Sequence, residues 1–465
     1  MLLGVLTACN ISNSDKETDS TPTSDVQQPS NDKNNTGDAE ETEKELVPED
    51  FDGVDFNILV RKNRFRYLHA EEDSTDRVAS AAWKRNKKLE EMYHIDINVK
   101  EMEDTPAKWV TALQTSQGDY DLCMAEYWFY LDMEGLLTNI LELDEINPED
   151  DYWYQGWNDQ ITVNNKLYTI TGDVTNEMVE QIEVIYFNKQ MADSIQEDLY
   201  GYVDKGTWTL EQVDILSKKV AAGLDTTETS DDVYGIMYDR NSINTALLTL
   251  GINLVERTDN GFFKIVEDHT SNIAMSEALA AFIHQNYVDY ANKSCLARDR
   301  SNFINGKSLM YATSLRVGEL MKPTIEDNDW DYGIVITPKY EEEDDYVSTV
   351  YGCTPLAIPN TARSTHVSAV ILDAMNFMGE DTTVHAFYEV VILGQMADLA
   401  DDVRMIEMAR SLITTNIAFI YDAGVIQIHN DYLNAVVNNK PFGSSLATHL
   451  DVARSGLDTI MEKYQ

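Results

Sequence analysis

The sequence predicts an α/β fold, and three observations carry that expectation. From Phe51 onward, short apolar runs alternate with stretches of helical periodicity. The 465 residues are 43% hydrophobic and 9% aromatic, enough to bury a sizeable core in two or three domains of roughly 150 residues each. Four cysteines are too few to replace such a core with a disulfide scaffold. No run of eighteen apolar residues marks a transmembrane helix.

The chain opens on MLLGVLTAC, in which Leu2 to Leu6 form a short apolar run before Thr7, Ala8 and Cys9. This resembles the lipobox of bacterial lipoproteins, where a cysteine thiol takes a diacylglyceryl group, so residues 1–9 read as a processing signal and Cys9 as the lipidated residue. No Lys or Arg precedes the run, which departs from the usual signal. Residues 10–50 hold twelve acids (Asp15 to Asp50), three lysines (Lys16, Lys33, Lys44) and almost nothing apolar. Such a stretch cannot offset its chain entropy by burial, and the expectation is a disordered tether with a reach on the order of 35 Å. A lipid-ready cysteine, a solvated leash and a globular body make the layout of an exported protein anchored to the outer face of a bacterial membrane.

In the body, strands are expected at 56–60, 94–99, 121–124, 166–170, 184–188, 333–337 and 354–358. Val78, Ala82, Leu89, Met92 and Tyr93 recur at helical spacing with Lys84, Arg85, Lys87 and Lys88 between them. Further helices are expected at 210–222, 275–286, 367–378 and 384–393, with a helical or turn pattern at 135–143. The acidic blocks 341–345 and 398–402 read as solvated loops or helix faces.

Charge narrows the function. Against 35 Lys and Arg stand 81 Asp and Glu, a formal net charge of -46. That surface repels phosphate backbones and anionic head groups, so nucleic acid is excluded as a partner and a neutral or cationic one fits better. Catalytic and cofactor motifs fail one by one. Gly306-Lys307-Ser308 looks like a phosphate loop, but Ser301 stands where its first glycine belongs. Asp327, Asp329 and Asp331 alternate like a calcium loop, yet glycine arrives late at Gly333 and Pro338 replaces the final glutamate. The eight histidines show no metal-binding spacing, and no nucleophile elbow is present. No cofactor, no metal and no catalytic residue are therefore expected. Cys123, Cys295 and Cys353 read as core thiols, with a disulfide between two of them as the alternative.

What remains is a set of aromatic and charged residues just after strands, where open α/β sheets bind ligands. The loops at 61–67, 126–130, 171–176, 314–316 and 351–352 carry Arg61, Phe65, Glu126, Tyr127, Trp128, Asp173, Arg316 and Tyr351. Aromatic faces against sugar C–H faces, rimmed by carboxylates and arginines for hydroxyls, suit carbohydrate capture.

At these residues the body, from about Asp55 to Tyr464, resembles bacterial extracellular solute-binding proteins of family 1, the maltose-binding-like type that serves ABC importers. Gly118-Asp119-Tyr120-Asp121-Leu122, followed by Leu136-Leu137 and Leu143, is similar to the family's P-D-[VIL]…G-L-L…L segment. Asn165 to Ile170, Val184 to Lys189, Thr207 to Gln212, Phe303 to Met310, and Tyr332-Gly333-Ile334 with Thr337-Pro338 match five further segments in register. The resemblance implies two α/β lobes, of the type II periplasmic-binding-protein arrangement, closing on a ligand by hinge motion. It puts crossings near 171–183, 345–352 and 394–402, with residues 51–173 plus about 350–396 in one lobe and about 174–349 plus 397–465 in the other. It gives residues 126–129 a first-lobe contact role. Thr313-Ser314-Leu315-Arg316 stand where a second-lobe aromatic often stacks on sugar, and Tyr421, within 419–422, is the expected substitute.

The expected function is a lipid-anchored, monomeric, non-enzymatic receptor that captures a solute, an oligosaccharide first, and hands it to an ABC permease. Its expected ligand contacts are Arg61, Glu126, Tyr127, Trp128, Asp173, Arg316, Tyr351 and Tyr421. The alternatives are a receptor for a peptide, polyamine or carboxylated ligand, a surface glycoside hydrolase, or an adhesin with no small ligand.

Overall fold

The computed structural model describes residues 44–465 except 63, 73, 104, 132, 223–231, 239, 291–299, 328–329, 351, 393–398 and 423–425. Cys9, Tyr351, Cys295 and nearly all of the expected tether lie outside the described residues. Among those described, eleven strands run in chain order: β1 (Val54–Arg61), β2 (Ile95–Met102), β3 (Leu122–Met124), β4 (Glu183–Asn188), β5 (Tyr234–Tyr238), β6 (Val255–Arg257), β7 (Phe263–Ile265), β8 (Val288–Asp289), β9 (Ser308–Ser314), β10 (Tyr332–Ile336) and β11 (Leu356–Ala357).

They form two main sheets and one hairpin. The first sheet has the order β11-β3-β1-β2, with β1 parallel to β2 and β3, and β11 antiparallel to β3. The second has the order β10-β4-β9-β5-β8, with β4 antiparallel to both neighbours and β5 parallel to both of its own. Both are mixed sheets covered by helices, so their inner strands carry continuous apolar runs, such as Ile58 to Val60 and Val184 to Phe187. Hairpin β6–β7 stands apart.

The helix Arg77–Tyr93 follows from its caps. The Asp76 carboxylate accepts from the N–H groups of Val78 and Ala79, and His94 ends the helix in the left-handed region at φ 47°. Its Val78, Ala82 and Leu89 face is buried, as the periodicity predicts. Arg85 departs from the solvated role its lysine neighbours play. It is wholly buried, donates to the Val174 carbonyl and to Asn86 Oδ1, and burial lowers its pKa to about 9. The helices Leu210–Val220, Thr270–Ile283, Thr365–Phe377 and His385–Ile392 cover the remaining expected stretches. The 135–143 pattern resolves into two short 3-10 turns, Glu134–Leu136 and Ile140–Glu142.

One expected strand does not form. Over 166–170 there are only single bridges, Lys166 with Val163 and Ile170 with Leu356, the latter exchanging both backbone bonds at 2.9 Å each, before the chain turns at Thr171. Two core strands went unread in the sequence, β5 and β9. Both carry the second sheet's centre.

The chain passes between the sheets three times: between β3 and β4, between β10 and β11, and between β11 and the helix Leu399–Ser411, which packs on β10. The passages lie against one another. Val174 N–H donates to Asn376 Oδ1 at 2.8 Å, and Thr383 Oγ1 donates to the Asp173 carbonyl at 3.3 Å. Glu183 N–H donates to the Thr349 carbonyl at 3.2 Å. Gly379 sits so close to the Asp173 carbonyl that a Cβ there would overlap it. The helix Gln155–Ile161 and the residue after it also meet the hairpin and the chain beyond Leu399–Ser411: Arg257 of β6 donates to the carbonyls of Asp159 and Thr162, and Thr414 to that of Gly156.

Val47–Gln465 form one compact unit. At the expected tether boundary, Glu49 pairs with His366 at 3.2 Å and Asp50 with His94 at 2.8 Å. Cys123 and Cys353 are buried free thiols, with pKa values pushed up by burial, that of Cys123 to about 12.

Candidate functional site

β1 and β3 run parallel as neighbours, so their carboxyl ends open at the same edge of the first sheet. The last residue of β1 is Arg61, the chain beyond it supplies Arg64 and Arg66, and the chain beyond β3 supplies Glu126, Tyr127 and Trp128. Tyr127 to Phe129 form a single 3-10 turn, pinned by the Tyr127 N–H on the Cys353 carbonyl at 3.2 Å. The turn leaves Trp128 38% exposed while Phe129 is buried beneath it, ring centroids 4.4 Å apart. The Arg61 guanidinium lies 5.3 Å from the Trp128 ring centroid and 4.8 Å from that of Phe129.

Facing this edge is the carboxyl end of β9 with the chain that follows it, together with the start of β4, the helix Arg240–Thr249 and the residues Phe419, Asp422, His429 and Asn430. The two edges enclose a cavity of about 560 Å³, within the range for sites that take a small ligand. Glu126, Tyr127 and Trp128 line one side; Thr313, Ser314, Arg316, Phe419 and Asp422 are among those lining the other. Asn241, Asn244 and Asn430 add amide groups.

A buried ionic network joins the two sides. Glu126 accepts from Arg61 and lies 3.2 Å from Arg64, which also reaches Glu177 at 3.1 Å. Glu180 accepts from Arg66, from Tyr67 OH at 2.7 Å and from Asn176 Nδ2 at 2.7 Å. Glu177 and Glu180 belong to the first passage between the sheets, so the arginines beyond β1 grip it directly. Burial, against the pull of Arg64, pushes the Glu177 carboxyl up to about 8. On the far side, burial pushes Asp422 up to about 7 although the N–H groups of His429 and Asn430 donate to it. Burial also lowers His429 to about 4, which keeps its imidazole neutral. Glu126 Oε2 and His429 Nδ1 are buried without a hydrogen-bond partner among the described residues. In a cavity wall, such atoms are acceptors or donors awaiting a ligand or water.

Of the expected contacts, the structure brings Glu126, Tyr127, Trp128 and Arg316 to the cavity, with Arg61 behind Glu126 and Trp128. Two go elsewhere. Asp173 is fully buried between Tyr154 OH, at 2.7 Å, and Arg410, where it braces the passages between the sheets and does not face the cavity. Tyr421 points away, hydrogen-bonded to Tyr464 OH at 2.9 Å. Its neighbour Phe419 takes the cavity position, because residues two apart on a helical turn face nearly opposite ways. Leu315 is likewise buried while Thr313, Ser314 and Arg316 around it line the cavity.

The sequence reading missed Arg64, Arg300, Asn241, Asn244, Asp422, His429 and Asn430 as lining residues. Arg64 and Asp422 lay inside segments already singled out. The others sit on elements with no distinguishing pattern, and only tertiary packing delivers them.

No protein-family model matches the chain, and no curated protein matches it by sequence. Its fold matches solved structures. An ABC substrate-binding protein from Listeria monocytogenes, in complex with cycloalternan, is 13% identical with a TM-score of 0.51, over 89% of this chain and 99% of that one. The GacH receptor of Streptomyces glaucescens, known unliganded and with acarbose, is 13% identical with a TM-score of 0.55, over 87% and 99%. Maltose-bound MalE3 of T. maritima is 14% identical with a TM-score of 0.52, over 88% and 100%. At these identities the likeness carries the fold, two α/β lobes with the cavity between them.

Proposed function

We propose that this chain is a non-enzymatic solute receptor of an ABC importer, that it captures an oligosaccharide between its lobes, and that it delivers the sugar to a permease. The observation that carries this reading is the cavity itself. Its walls come from both lobes, a part-exposed tryptophan stands on one side, and amides and charged groups stand around it. A ligand touching both walls stabilises the closed arrangement over the open one, and a permease can read that difference. The likeness to structures holding cycloalternan, acarbose and maltose supports a saccharide as the solute.

The lobes we assign are residues 51–173 with about 350–396, and about 174–349 with 397–465, the three passages serving as the hinge. Sheet membership and the packing of Leu399–Ser411 on β10 support that division. The lipobox-like start supports anchoring through Cys9 to the outer face of a bacterial membrane, with the receptor acting as a monomer.

Isothermal titration of the chain with neutral and acidic oligosaccharides tests the reading. Binding of one saccharide class, weakened about tenfold or more by Trp128→Ala, is the expected result. A saturating ligand at a hundred times its dissociation constant also adds about 2.7 kcal/mol of stability. Absence of binding across the panel, or release of new reducing ends during incubation, would overturn the proposal.

A further inference from the structure

The receptor reading leaves the solute's charge open, and the cavity's arginines speak to it. The chain as a whole is strongly acidic, with 81 Asp and Glu to 35 Lys and Arg, so a basic side chain in a cavity wall should find a carboxylate partner easily. Arg64 does, in Glu126 and Glu177. Arg316 and Arg300 do not find one of their own.

Arg316 follows β9, its N–H fixed on the Glu180 carbonyl at 2.9 Å. Its nearest carboxylate oxygen is Glu180 Oε2 at 3.8 Å, an oxygen that already accepts from Tyr67 OH at 2.7 Å. The other oxygen of Glu180 is held by Arg66 and Asn176. Arg300, half-buried just before β9 and the short helix preceding it, lines the same cavity and has no ion pair among the described residues. Among the described residues no cavity carboxylate pairs with Arg300 or Arg316, and of the Glu126 oxygens Oε1 is taken while Oε2 stays unpartnered. Glu126 holds Arg61 and Arg64, Glu183 Oε2 accepts from Ser242 OH at 2.9 Å, and Asp422 is capped by two backbone N–H groups. Two guanidinium forks thus face the cavity with most of their donors unspent.

We infer that the saccharide bound here carries a carboxylate, as a uronic acid does, and that Arg300 and Arg316 receive it; the inference rests on the receptor reading above. A guanidinium presents parallel N–H groups that match a carboxylate two at a time, a fit that a lone hydroxyl does not use. Asn241, Asn244 and Asn430 suit the neutral hydroxyls, and Trp128 the ring face, so the arginines are surplus for a neutral sugar. The acidic surface opposes an anionic ligand at long range, which makes two cations held in the cavity a local reversal of the field around them.

The test is titration of the full chain with galacturonate oligomers, with the same oligomers reduced at the carboxyl to neutral galactose, and with sulfated oligosaccharides of equal length. The uronate oligomers should bind at least tenfold more tightly than their reduced counterparts. Arg300→Gln and Arg316→Gln should each erase most of that preference while leaving the unliganded melting temperature within a degree or two. Equal affinity for neutral and acidic oligomers, or a preference that survives both substitutions, overturns the carboxylate inference and leaves the receptor reading standing. Tighter binding of the sulfated oligomers overturns the assignment to a carboxylate. Failure of every saccharide to bind removes both readings together.

Discussion

Three side chains, two aspartates and a tryptophan, show how environment sets a residue's role. Asp173 and Asp422 are both buried acids. Asp173 has a cation, Arg410, and Asp422 has, among the described residues, only backbone N–H groups. Asp173→Ala leaves Arg410 buried beside Tyr154 with its main partner gone, a change that costs about 3–5 kcal/mol in comparable pairs; thermal unfolding should show a loss of several degrees with no specific effect on ligand affinity per folded molecule. Burial raises both carboxyls, that of Asp173 to about 6 against the pull of Arg410, while Asp422 has no cation beside it among the described residues. Its carboxyl, raised to about 7 by burial, holds a proton more tightly in the folded than in the unfolded chain. Its contribution is therefore complete below the unfolded value of about 4 and is lost as pH rises through 7. Melting curves of the unliganded protein between pH 5 and 8 should show less pH dependence in Asp422→Asn than in the parent. An identical slope in both would remove Asp422 as a source of that dependence. Trp128, the third, was readable in the sequence as an aromatic after a strand, but its exposure was not: Phe129, one residue on, is the buried plug.

The elements that could be read from sequence are those whose pattern is local. Helix Arg77–Tyr93 declares itself through Asp76, its apolar face and its end at His94. The strands β1 to β4 and β10 stand out as apolar runs bounded by turns. The strand β9 was hidden because Ser308-Leu309-Met310-Tyr311-Ala312-Thr313-Ser314 mixes small polar ends with a short core, and pairing with β4 and β5 decides its conformation. The pattern at 166–170 looked equally strand-like, yet it makes only single bridges, Lys166 to Val163 and Ile170 to Leu356, because the chain departs for the first passage there. Where passages meet, backbone closeness takes over from side-chain pattern. Gly379→Ala must push the third passage off the Asp173 carbonyl. The expected result is a lower melting temperature and weaker closure, read as a smaller ligand-induced change in small-angle scattering. An alanine variant that melts and compacts like the parent would show that the passages do not depend on that contact.

For the whole molecule, hinge closure predicts that a saturating saccharide lowers the radius of gyration of the chain, and that Trp128→Ala does so only at higher ligand concentration. An unchanged radius with ligand bound would rule out lobe closure as the signal. Anchoring belongs to this scale too. When the chain is expressed in a lipoprotein-processing bacterium fed labelled palmitate, label should enter the protein and vanish in Cys9→Ser, with the variant moving from the membrane to the soluble fraction. Persisting label would place lipidation elsewhere, and its absence from both forms would overturn the lipobox reading.

The sequence by itself determined the α/β class, most of the strands and helices, the end of β1 that carries Arg61, and the loop beyond β3 that supplies Glu126, Tyr127 and Trp128. Those are local properties: apolar periodicity, capping groups and position after a strand. Tertiary structure alone decided which of the singled-out residues meet. It turned Phe419 toward the cavity and Tyr421 toward Tyr464, buried Asp173 against Arg410, and brought Arg300 and Arg316 to the same cavity although sixteen positions separate them. The physical reason is that a side chain's direction is set by the rotation of its own turn. Its neighbours, by contrast, come from packing two lobes whose chain passes between them three times, and no local pattern records that juxtaposition.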